Sequence, residues 1–254
     1  AASNAGGAGS VVGDTTTTMI WISGVNPVEV LDGYVASATA AIVCTVIAAR
    51  QQHNYSPIAK ATVAGVKVDW ARLAIVAIIL LAAIAVNVTV NVRYPAYATA
   101  FPFIGAAVWA AILLTGGWRR PDWAAVPSAL RSAAFLLALV LAASMMPVEE
   151  LPAASSATTF GLGVVSAVFD NIPLTALAIK QGGFDWGLLA YAVGYGGSMI
   201  WFGSSAGVAI SGLLPEARSV MLWLRHGWHV ALGYVVGFAV FLMVLGWAPQ
   251  HWSN

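Results

Sequence analysis

Residues 73–92 form a run of 20 residues without one charged side chain. A helix of this length rises about 30 Å, which matches the hydrocarbon core of a bilayer. In lipid every backbone N–H and C=O group must find its partner within the protein, and an α-helix meets this condition by itself. The run therefore predicts a transmembrane helix, and it restricts the rest of the chain to folds that a membrane accepts.

The composition of the whole chain agrees with a lipid environment. Of its 254 residues 60% are hydrophobic and 8% are charged, whereas charged residues make up about 25% of an ordinary soluble domain. The mean hydropathy is +0.83. A formal net charge of +1 gives no basic surface for nucleic acid. We therefore expect the lipid bilayer, and no nucleic acid, as the partner of this chain.

Several other segments are apolar enough to lie in a bilayer. We predict further spans at residues 30–49, 98–114, 130–146 and 230–247. Three more apolar segments are interrupted by glycines, serines or a polar motif, and these are residues 9–23, 151–180 and 188–214. The sequence thus predicts an all-α polytopic membrane protein in which some elements are broken.

Basic residues predict the orientation, because cytoplasmic loops are enriched in Lys and Arg. Two loops on the same face of the predicted topology are basic, and their residues are Arg50, Lys60, Lys67 and Arg72, then Arg119, Arg120 and Arg131. We predict that both loops are cytoplasmic. Alternation of the spans then places the C-terminus outside the cytoplasm.

One glycine pattern occurs twice in the chain. Its two copies are Gly6-Gly7, five residues and Gly13-Asp14-Thr15, then Gly196-Gly197, five residues and Gly203-Ser204-Ser205. Each copy interrupts an apolar segment, where the freed backbone groups need a partner in protein, water or an ion. Paired interruptions of this kind are typical of the binding sites of transporters.

Residues 151–180 allow two interpretations. As one crossing helix they would place Asp170 inside the bilayer, where an aspartate costs about 2.5–3.5 kcal/mol. As a hairpin that enters and leaves on one side, their two arms would meet at residues 170–173, because Pro173 disfavours helix at the residue before it. The hairpin leaves four spans between the two glycine patterns. An inverted relation requires an odd number, so the count leaves the topology open.

Three motifs, in order, resemble those of the NhaD-type sodium/proton antiporters. They are Asn4-Ala5-Gly6-Gly7 with Gly13-Asp14 and the threonines 15–18, then residues 166–174 around Asp170-Asn171-Ile172-Pro173, then Gly196-Gly197-Ser198 with Gly203-Ser204-Ser205-Ala206-Gly207-Val208. The resemblance implies a member of the ion transporter superfamily, which includes arsenite permeases and dicarboxylate carriers. It further implies two inverted repeats, each ending in a re-entrant hairpin and a broken helix, in the bacterial inner membrane.

The resemblance also divides the chain. It makes residues 1–25 the broken helix ending the first repeat, 26–147 the spans of the linker and second repeat, 148–182 the re-entrant hairpin, 183–216 the second broken helix and 217–254 an interfacial segment with the last span. Most of the first repeat is missing from this arrangement. We therefore expect this chain to correspond to the C-terminal portion of such an antiporter. Three explanations are open: the chain is a fragment, a second polypeptide supplies the first half, or the protein has lost transport. Independently of this, the resemblance leaves a homodimer open as the oligomeric state.

Sodium is a hard cation that prefers oxygen ligands. The predicted ion-binding residues are Asp14, Thr15, Asp170, Asn171, Ser204 and Ser205. The predicted backbone and helix-break residues are Asn4, Gly6, Gly7, Gly13, Pro173, Gly196, Gly197 and Gly203. A carboxylate in a poorly hydrated cavity holds a proton more readily, so a proton and a sodium ion compete for it. The predicted function is sodium/proton exchange, with no cofactor besides the transported Na⁺ and H⁺.

Each of these residues also has a purely structural interpretation. Asp14 can be only a helix N-cap, Asp170 can be a turn residue, and Ser204 and Ser205 can simply allow close helix packing. The alternative functions are an arsenite or organic-anion permease and a non-transporting structural subunit of a larger complex. Two intramembrane aspartates favour a cation. The sequence has no Cys/His metal pattern, P-loop or nucleophile elbow, so we expect neither an enzyme nor a transition-metal site.

Overall fold

The structure is a computed structural model, and it describes residues 1–11, 13–57, 68–97, 100–145 and 152–249. Within these ranges every regular element is a helix, which confirms the predicted all-α class. The helices, numbered in chain order, are α1 (Ala2–Gly7), α2 (Thr15–Ile22), α3 (Pro27–Leu31), α4 (Gly33–Tyr55), α5 (Trp70–Arg93), α6 (Phe103–Thr115), α7 (Val126–Ser144), α8 (Ser156–Ser166), α9 (Asn171–Gln181), α10 (Trp186–Gly196), α11 (Ser205–Leu213) and α12 (Val220–Val244).

Three segments of the described chain are long and apolar enough to cross a membrane. They are Pro27–Tyr55, Trp70–Val90 and Val220–Val244. Their number confirms a polytopic membrane protein. The basic residues Lys60 and Lys67 and residues 146–151 lie outside the described residues.

The last span differs from its prediction, because α12 begins at Val220 and not at residue 230. The side chain of Ser219 caps this helix by accepting a hydrogen bond from the Leu222 N–H. The prediction placed the polar residues around Arg225 in a separate interfacial segment. Arginine is a good helix former, so a charged residue near the membrane surface does not end a helix.

The chain divides into two compact units. Unit 2 comprises Ile58–Val126 and contains the antiparallel pair α5 and α6. Asp69 caps α5 through the Arg72 N–H and also pairs with the Arg119 guanidinium at 3.3 Å, which joins the start of α5 to the segment after α6. The Arg72 N–H bond, followed by the charges of Arg119 and Arg72, holds the pKa of Asp69 below its ordinary value.

Unit 1 comprises Ala1–Pro57 and Pro127–Asn254 and is organised around α10. Every residue of α10 is buried. The rings of Tyr191 and Tyr234 stack at 5.8 Å, and the Tyr191 hydroxyl donates to the Tyr234 carbonyl at 2.8 Å. The Tyr234 hydroxyl in turn donates to the Phe160 carbonyl of α8 at 2.8 Å. These bonds join α12 both to the buried helix and to α8.

Helices α8 and α9 are joined through residues 167–170, and their outer ends also meet. The Gln181 side-chain amide, at the end of α9, donates to the Pro152 carbonyl just before α8 at 2.8 Å. The chain therefore returns to the place from which this pair of helices starts. The turn lies earlier than predicted, because Asn171 and Pro173 belong to the first turn of α9. Proline fits there, since the N–H that it lacks has no partner within the first helical turn.

A glycine allows the close contact between α8 and α10. A Cβ atom on Gly163 would lie 2.6 Å from the Ala192 carbonyl oxygen and would also collide with the Tyr234 hydroxyl. Gly161, two residues earlier on the same helix, has open space around the corresponding position. Small residues are the usual means by which membrane helices approach closely.

We expect Gly163→Ala to lower the free energy of unfolding by about 1–3 kcal/mol, because overpacking forces the helices apart. The apparent melting temperature of the purified protein in detergent measures this. Gly161→Ala is the matched control and should leave that temperature unchanged or slightly raised. Equal effects of both substitutions would contradict this account of the α8–α10 contact.

Candidate cation site at two helix breaks

The first break separates α1 from α2 and ends at Asp14. Asp14 has an extended backbone (φ −146°, ψ 153°), and its Oδ1 atom accepts from the Thr15 N–H at 2.7 Å. The N-cap interpretation therefore holds for this oxygen. The other oxygen, Oδ2, lies 3.4 Å from the Asn171 side-chain nitrogen. Asp14 thus caps its own helix with one oxygen and directs the other at a residue 157 positions away.

Asp170 and Asn171 stand at the start of α9, in the turn between α8 and α9. Both side chains are in the interior, with 5% of Asp170 and 8% of Asn171 exposed. The carboxylate of Asp170 interacts electrostatically with that of Asp14. Two acidic side chains and one amide therefore converge from two separate elements, each at the positive end of a helix.

The second break separates α10 from α11 and ends at Ser204. Ser204 is buried, and its hydroxyl accepts from the Gly207 N–H at 3.3 Å. Gly203 packs on the turn between α8 and α9, where a Cβ atom would lie 2.7 Å from the Ser166 carbonyl oxygen. The Ser166 hydroxyl donates to the Val193 carbonyl of α10 at 2.7 Å. The second break therefore supports the turn that carries Asp170.

The two glycine patterns have the same local structure. The Gly13 N–H bonds to the Ser10 carbonyl at 2.8 Å, and the equivalent Gly203 N–H bonds to the Ile200 carbonyl at 3.2 Å. Ser204 has φ −148° and ψ 152°, values within a few degrees of those of Asp14. In each copy the second glycine of the pair, Gly7 or Gly197, packs closely on the glycine that closes the break. A Cβ atom added to it would collide with the carbonyl oxygen of Gly13 or Gly203.

Asn4 connects the two breaks. Its side-chain nitrogen donates to the Gly194 carbonyl at 3.0 Å and to the Ser198 hydroxyl at 2.9 Å. Gly194 also faces Asp14, because a Cβ atom there would lie 3.1 Å from the Asp14 Oδ2 atom. The sequence indicated Asn4 as a helix-break residue, and in the structure its amide holds α1 against α10.

Two of the predicted ligands do not turn toward the aspartates. The side chains of Thr15 and Ser205, which are equivalent in the two patterns, are exposed. Thr17 and Thr18 were not predicted and are used instead to close the first break. Their hydroxyls donate to the carbonyls of Ser10 and Val11, respectively, and both also donate to the Asp14 carbonyl, at 2.6–2.9 Å. The signal in the sequence was the threonine run itself, since threonine hydroxyls commonly bond backbone carbonyls three or four residues back.

The remaining predicted break residues divide into tight and open positions. Gly196 is packed against Gly163 of α8, whereas Gly6 has open space around its Cβ position. Pro173 is buried within α9 and does not form the turn. Close approach of the backbone therefore accounts for Gly7, Gly13, Gly196, Gly197 and Gly203, but not for Gly6.

In the described part of the chain, the arrangement offers carboxylate and amide oxygens as ligands. Carboxylates and an amide suit a hard cation such as sodium. Among the described residues no group of three or more His, Cys, Asp or Glu side chains could hold a metal ion. Two neighbouring carboxylates repel each other when both are ionised, so a cation or a proton between them is favourable.

Fold and site together define a polytopic helical membrane protein with an acidic site at interrupted helices. About a third of the chain is similar to sodium/proton antiporters. It is 39% identical over 90 residues to the Na(+)/H(+) antiporter NhaD of Halomonas elongata and 39% identical over 93 residues to sodium/proton antiporter 1 of Arabidopsis thaliana. It is also 31% identical over 87 residues to the NhaD antiporter of Vibrio cholerae.

These similarities confirm the resemblance for part of the chain. The matched segments cover 33% of this chain but only 16–18% of each relative. No family model matches the chain, and no solved structure gives a significant match.

The first break offers a sharp test of its geometry. A Cβ atom on Gly7 would lie 2.8 Å from the Gly13 carbonyl oxygen and 2.9 Å from the Asp14 Cβ atom. We expect Gly7→Ala to lower the apparent melting temperature in detergent, with a destabilisation of about 1–3 kcal/mol. Gly6→Ala, at the neighbouring position, is the control and should be tolerated. A destabilised Gly6→Ala with an unaffected Gly7→Ala would show that the break is packed differently.

Proposed function

We propose that this chain takes part in the exchange of sodium for protons across a membrane, with Asp14 and Asp170 binding the two ions in turn. The observation that carries the proposal is the convergence of two distant segments. The Asp14 Oδ2 atom lies 3.4 Å from Asn171, and the charge of Asp14 acts on Asp170. The similarity of a third of the chain to sodium/proton antiporters supports the same function.

Competition between the ions follows from the chemistry of the pair. With both carboxylates ionised, their repulsion is relieved by a cation between them, and the Asn171 amide oxygen is a further ligand of the kind that sodium prefers. Protonation removes the same charge and the need for the cation. One site therefore holds either sodium or protons, and exchange results if it opens to one side of the membrane at a time.

We infer further that α8 and α9 form a re-entrant hairpin and that the two breaks belong to inverted repeats. The bond from Gln181 to Pro152 supports the hairpin, since both outer ends then lie on one side. The contacts of α1 support the inversion. Asn4 of α1 bonds to Gly194 and Ser198. The carbonyl of Ala8, the residue after α1, lies beside Gly33 together with the carbonyl of Gly187, at the start of α10. Moving forward along α1 thus means moving backward along α10.

The proposal also covers the membrane in which the chain lies, its orientation and its partners. We propose the inner membrane of a bacterium, with the C-terminus outside the cytoplasm. A homodimer and a second polypeptide that supplies the rest of the first repeat stay predictions. An arsenite or organic-anion permease is less favoured, because an anion would meet two carboxylates at the same place.

We expect Asp14→Asn and Asp170→Asn each to reduce sodium-dependent proton movement to the level of protein-free vesicles. Each substitution removes the negative carboxylate charge that binds either sodium or a proton, and it keeps the shape of the side chain. The measurement is the fluorescence of a pH-sensitive dye inside proteoliposomes after a pulse of sodium chloride. Asp122→Asn is the matched control, because Asp122 caps a short helical turn in unit 2 and asparagine caps equally well.

Gel filtration and circular dichroism establish whether each variant is folded. Folded Asp14→Asn and Asp170→Asn variants that transport like the unsubstituted protein would exclude these aspartates as the ion ligands. Loss of transport in Asp122→Asn as well would show that the effect is not specific to the site.

Sodium binding can also be measured without transport. A ligand that binds only the folded state at 100 times its dissociation constant stabilises that state by about 2.7 kcal/mol. We expect sodium chloride, compared with choline chloride, to raise the apparent melting temperature at high pH and to lose this effect as the pH falls. The sign follows from competition, because sodium needs the ionised carboxylates that protons occupy at low pH. A sodium effect that persists at low pH, or in Asp170→Asn, would contradict a shared site.

A further inference from the structure

A cavity lies alongside α11, between the start of α7 and the turn that leads into α12. It has a volume of about 240 Å³ and is lined by Ser128, Arg131, Trp201, Ser211 and Arg218, among others. We call it the arginine cavity. We propose that the arginine cavity binds the phosphate group of an anionic phospholipid. The proposal concerns a different part of unit 1 and does not depend on the transported ion.

Both arginines are held in place by their Nε atoms. Arg218 donates through Nε to the Ser211 carbonyl at 2.9 Å, and Arg131 donates through Nε to the Pro127 carbonyl at 3.3 Å. Within the described residues, no other hydrogen bond or ion pair engages either guanidinium. The two terminal amino groups of each therefore remain for a ligand, and paired N–H donors of this kind match the oxygens of a phosphate.

The charge of the arginine cavity is unbalanced. Two guanidinium groups line it, and no acidic residue does so among the described residues. Glu216 is close in sequence to Arg218 but lines a separate, largely apolar cavity with His226 and His229. The arginine cavity therefore selects an anion. Hydroxyls at Ser128 and Ser211 add further groups that can bond to phosphate oxygens.

The location of the arginine cavity favours a lipid over a soluble anion. It lies between the first turns of α7, the end of α11 and the turn Pro215–Arg218 that leads into α12. The start of α7 and the turn before α12 are ends of long apolar helices, and the ends of membrane spans lie at the level of the lipid head groups. The pattern of basic residues predicts that Arg131 is on the cytoplasmic side. Anionic lipids are concentrated in that leaflet, and basic pockets between membrane helices bind their head groups.

A phosphate in the arginine cavity would join α7 to the end of α11. Helix α11 has nine residues, so about 13 Å separates this end from Ser204 at its start. Its start packs beside the turn that carries Asp170. The lipid would thus fix the outer end of the helix whose inner end supports the cation site.

The test uses the purified protein in detergent with added phosphatidylglycerol or phosphatidylcholine. Native mass spectrometry measures the bound lipid, and the apparent melting temperature measures its effect on the fold. We expect phosphatidylglycerol to bind more tightly than phosphatidylcholine. Each of Arg131→Gln and Arg218→Gln should weaken phosphatidylglycerol binding about five-fold, the usual contribution of one basic residue at an anionic surface.

Arg225→Gln is the matched control, because Arg225 is exposed on α12 and does not line the arginine cavity. It should retain the affinity of the unsubstituted protein, and an equal loss would overturn the proposal in favour of general surface charge. Arg218→Lys keeps the charge without the paired donors and serves if Arg218→Gln fails to fold. The affinity of Arg218→Lys for phosphatidylglycerol should fall between those of the unsubstituted protein and Arg218→Gln. An affinity equal to that of the unsubstituted protein would overturn the phosphate geometry.

Inorganic phosphate separates a lipid from a free anion. We expect it, at millimolar concentration, neither to displace bound phosphatidylglycerol nor to raise the melting temperature. Stabilisation by inorganic phosphate equal to that by phosphatidylglycerol, and lost in Arg131→Gln, would overturn the lipid assignment and identify a site for a soluble anion.

Discussion

A helix that breaks inside a lipid bilayer frees backbone groups that only protein, water or an ion can satisfy. At the two described breaks, backbone bonds within each break and short polar side chains together satisfy such groups. At the first break the hydroxyls of Thr17 and Thr18 bond to free carbonyls, and the amide of Asn4 bonds to a carbonyl of the opposite helix. At the second break Ser166 bonds to Val193. The side chains that make the breaks tolerable therefore hold the backbone near Asp14 and near the turn that carries Asp170.

Bringing the two breaks together requires α10 to be buried along its whole length. Glycines on its neighbours make room for the backbone and for the tyrosine hydroxyls. Gly237 of α12, for example, leaves the space that the Tyr191 hydroxyl occupies. The contacts of α10 include hydrogen bonds as well as apolar packing, because the Tyr191 and Tyr234 hydroxyls donate to backbone carbonyls of neighbouring helices. Apolar surface alone would not align these helices, since lipid is as apolar as the side chains themselves.

The sequence predicted the interrupted segments well, because glycine clusters and polar motifs stand out in an apolar chain. It did not predict from spacing that Asp14 would meet Asn171, since these residues are 157 positions apart and nothing local links them. That pairing came from the family resemblance. Two local errors had local causes. The turn near Pro173 was placed too late because proline is tolerated in a first helical turn, and α12 was started too late because Arg225 suggested an interface.

The two breaks have the same backbone conformation, but only the first carries a charged side chain. This difference affects how the site would compensate charge during the proposed exchange. Asp14 and Ser204 occupy equivalent positions, so the second break contributes a hydroxyl where the first contributes a carboxylate. The second carboxylate comes from the turn before α9, and under the proposed exchange the site carries at most two negative charges. One sodium ion compensates one of them and two protons compensate both, so the two loaded states differ in net charge. A membrane potential acts on such a difference with about 2.3 kcal/mol per charge for each 100 mV, which is enough to drive the exchange in one direction.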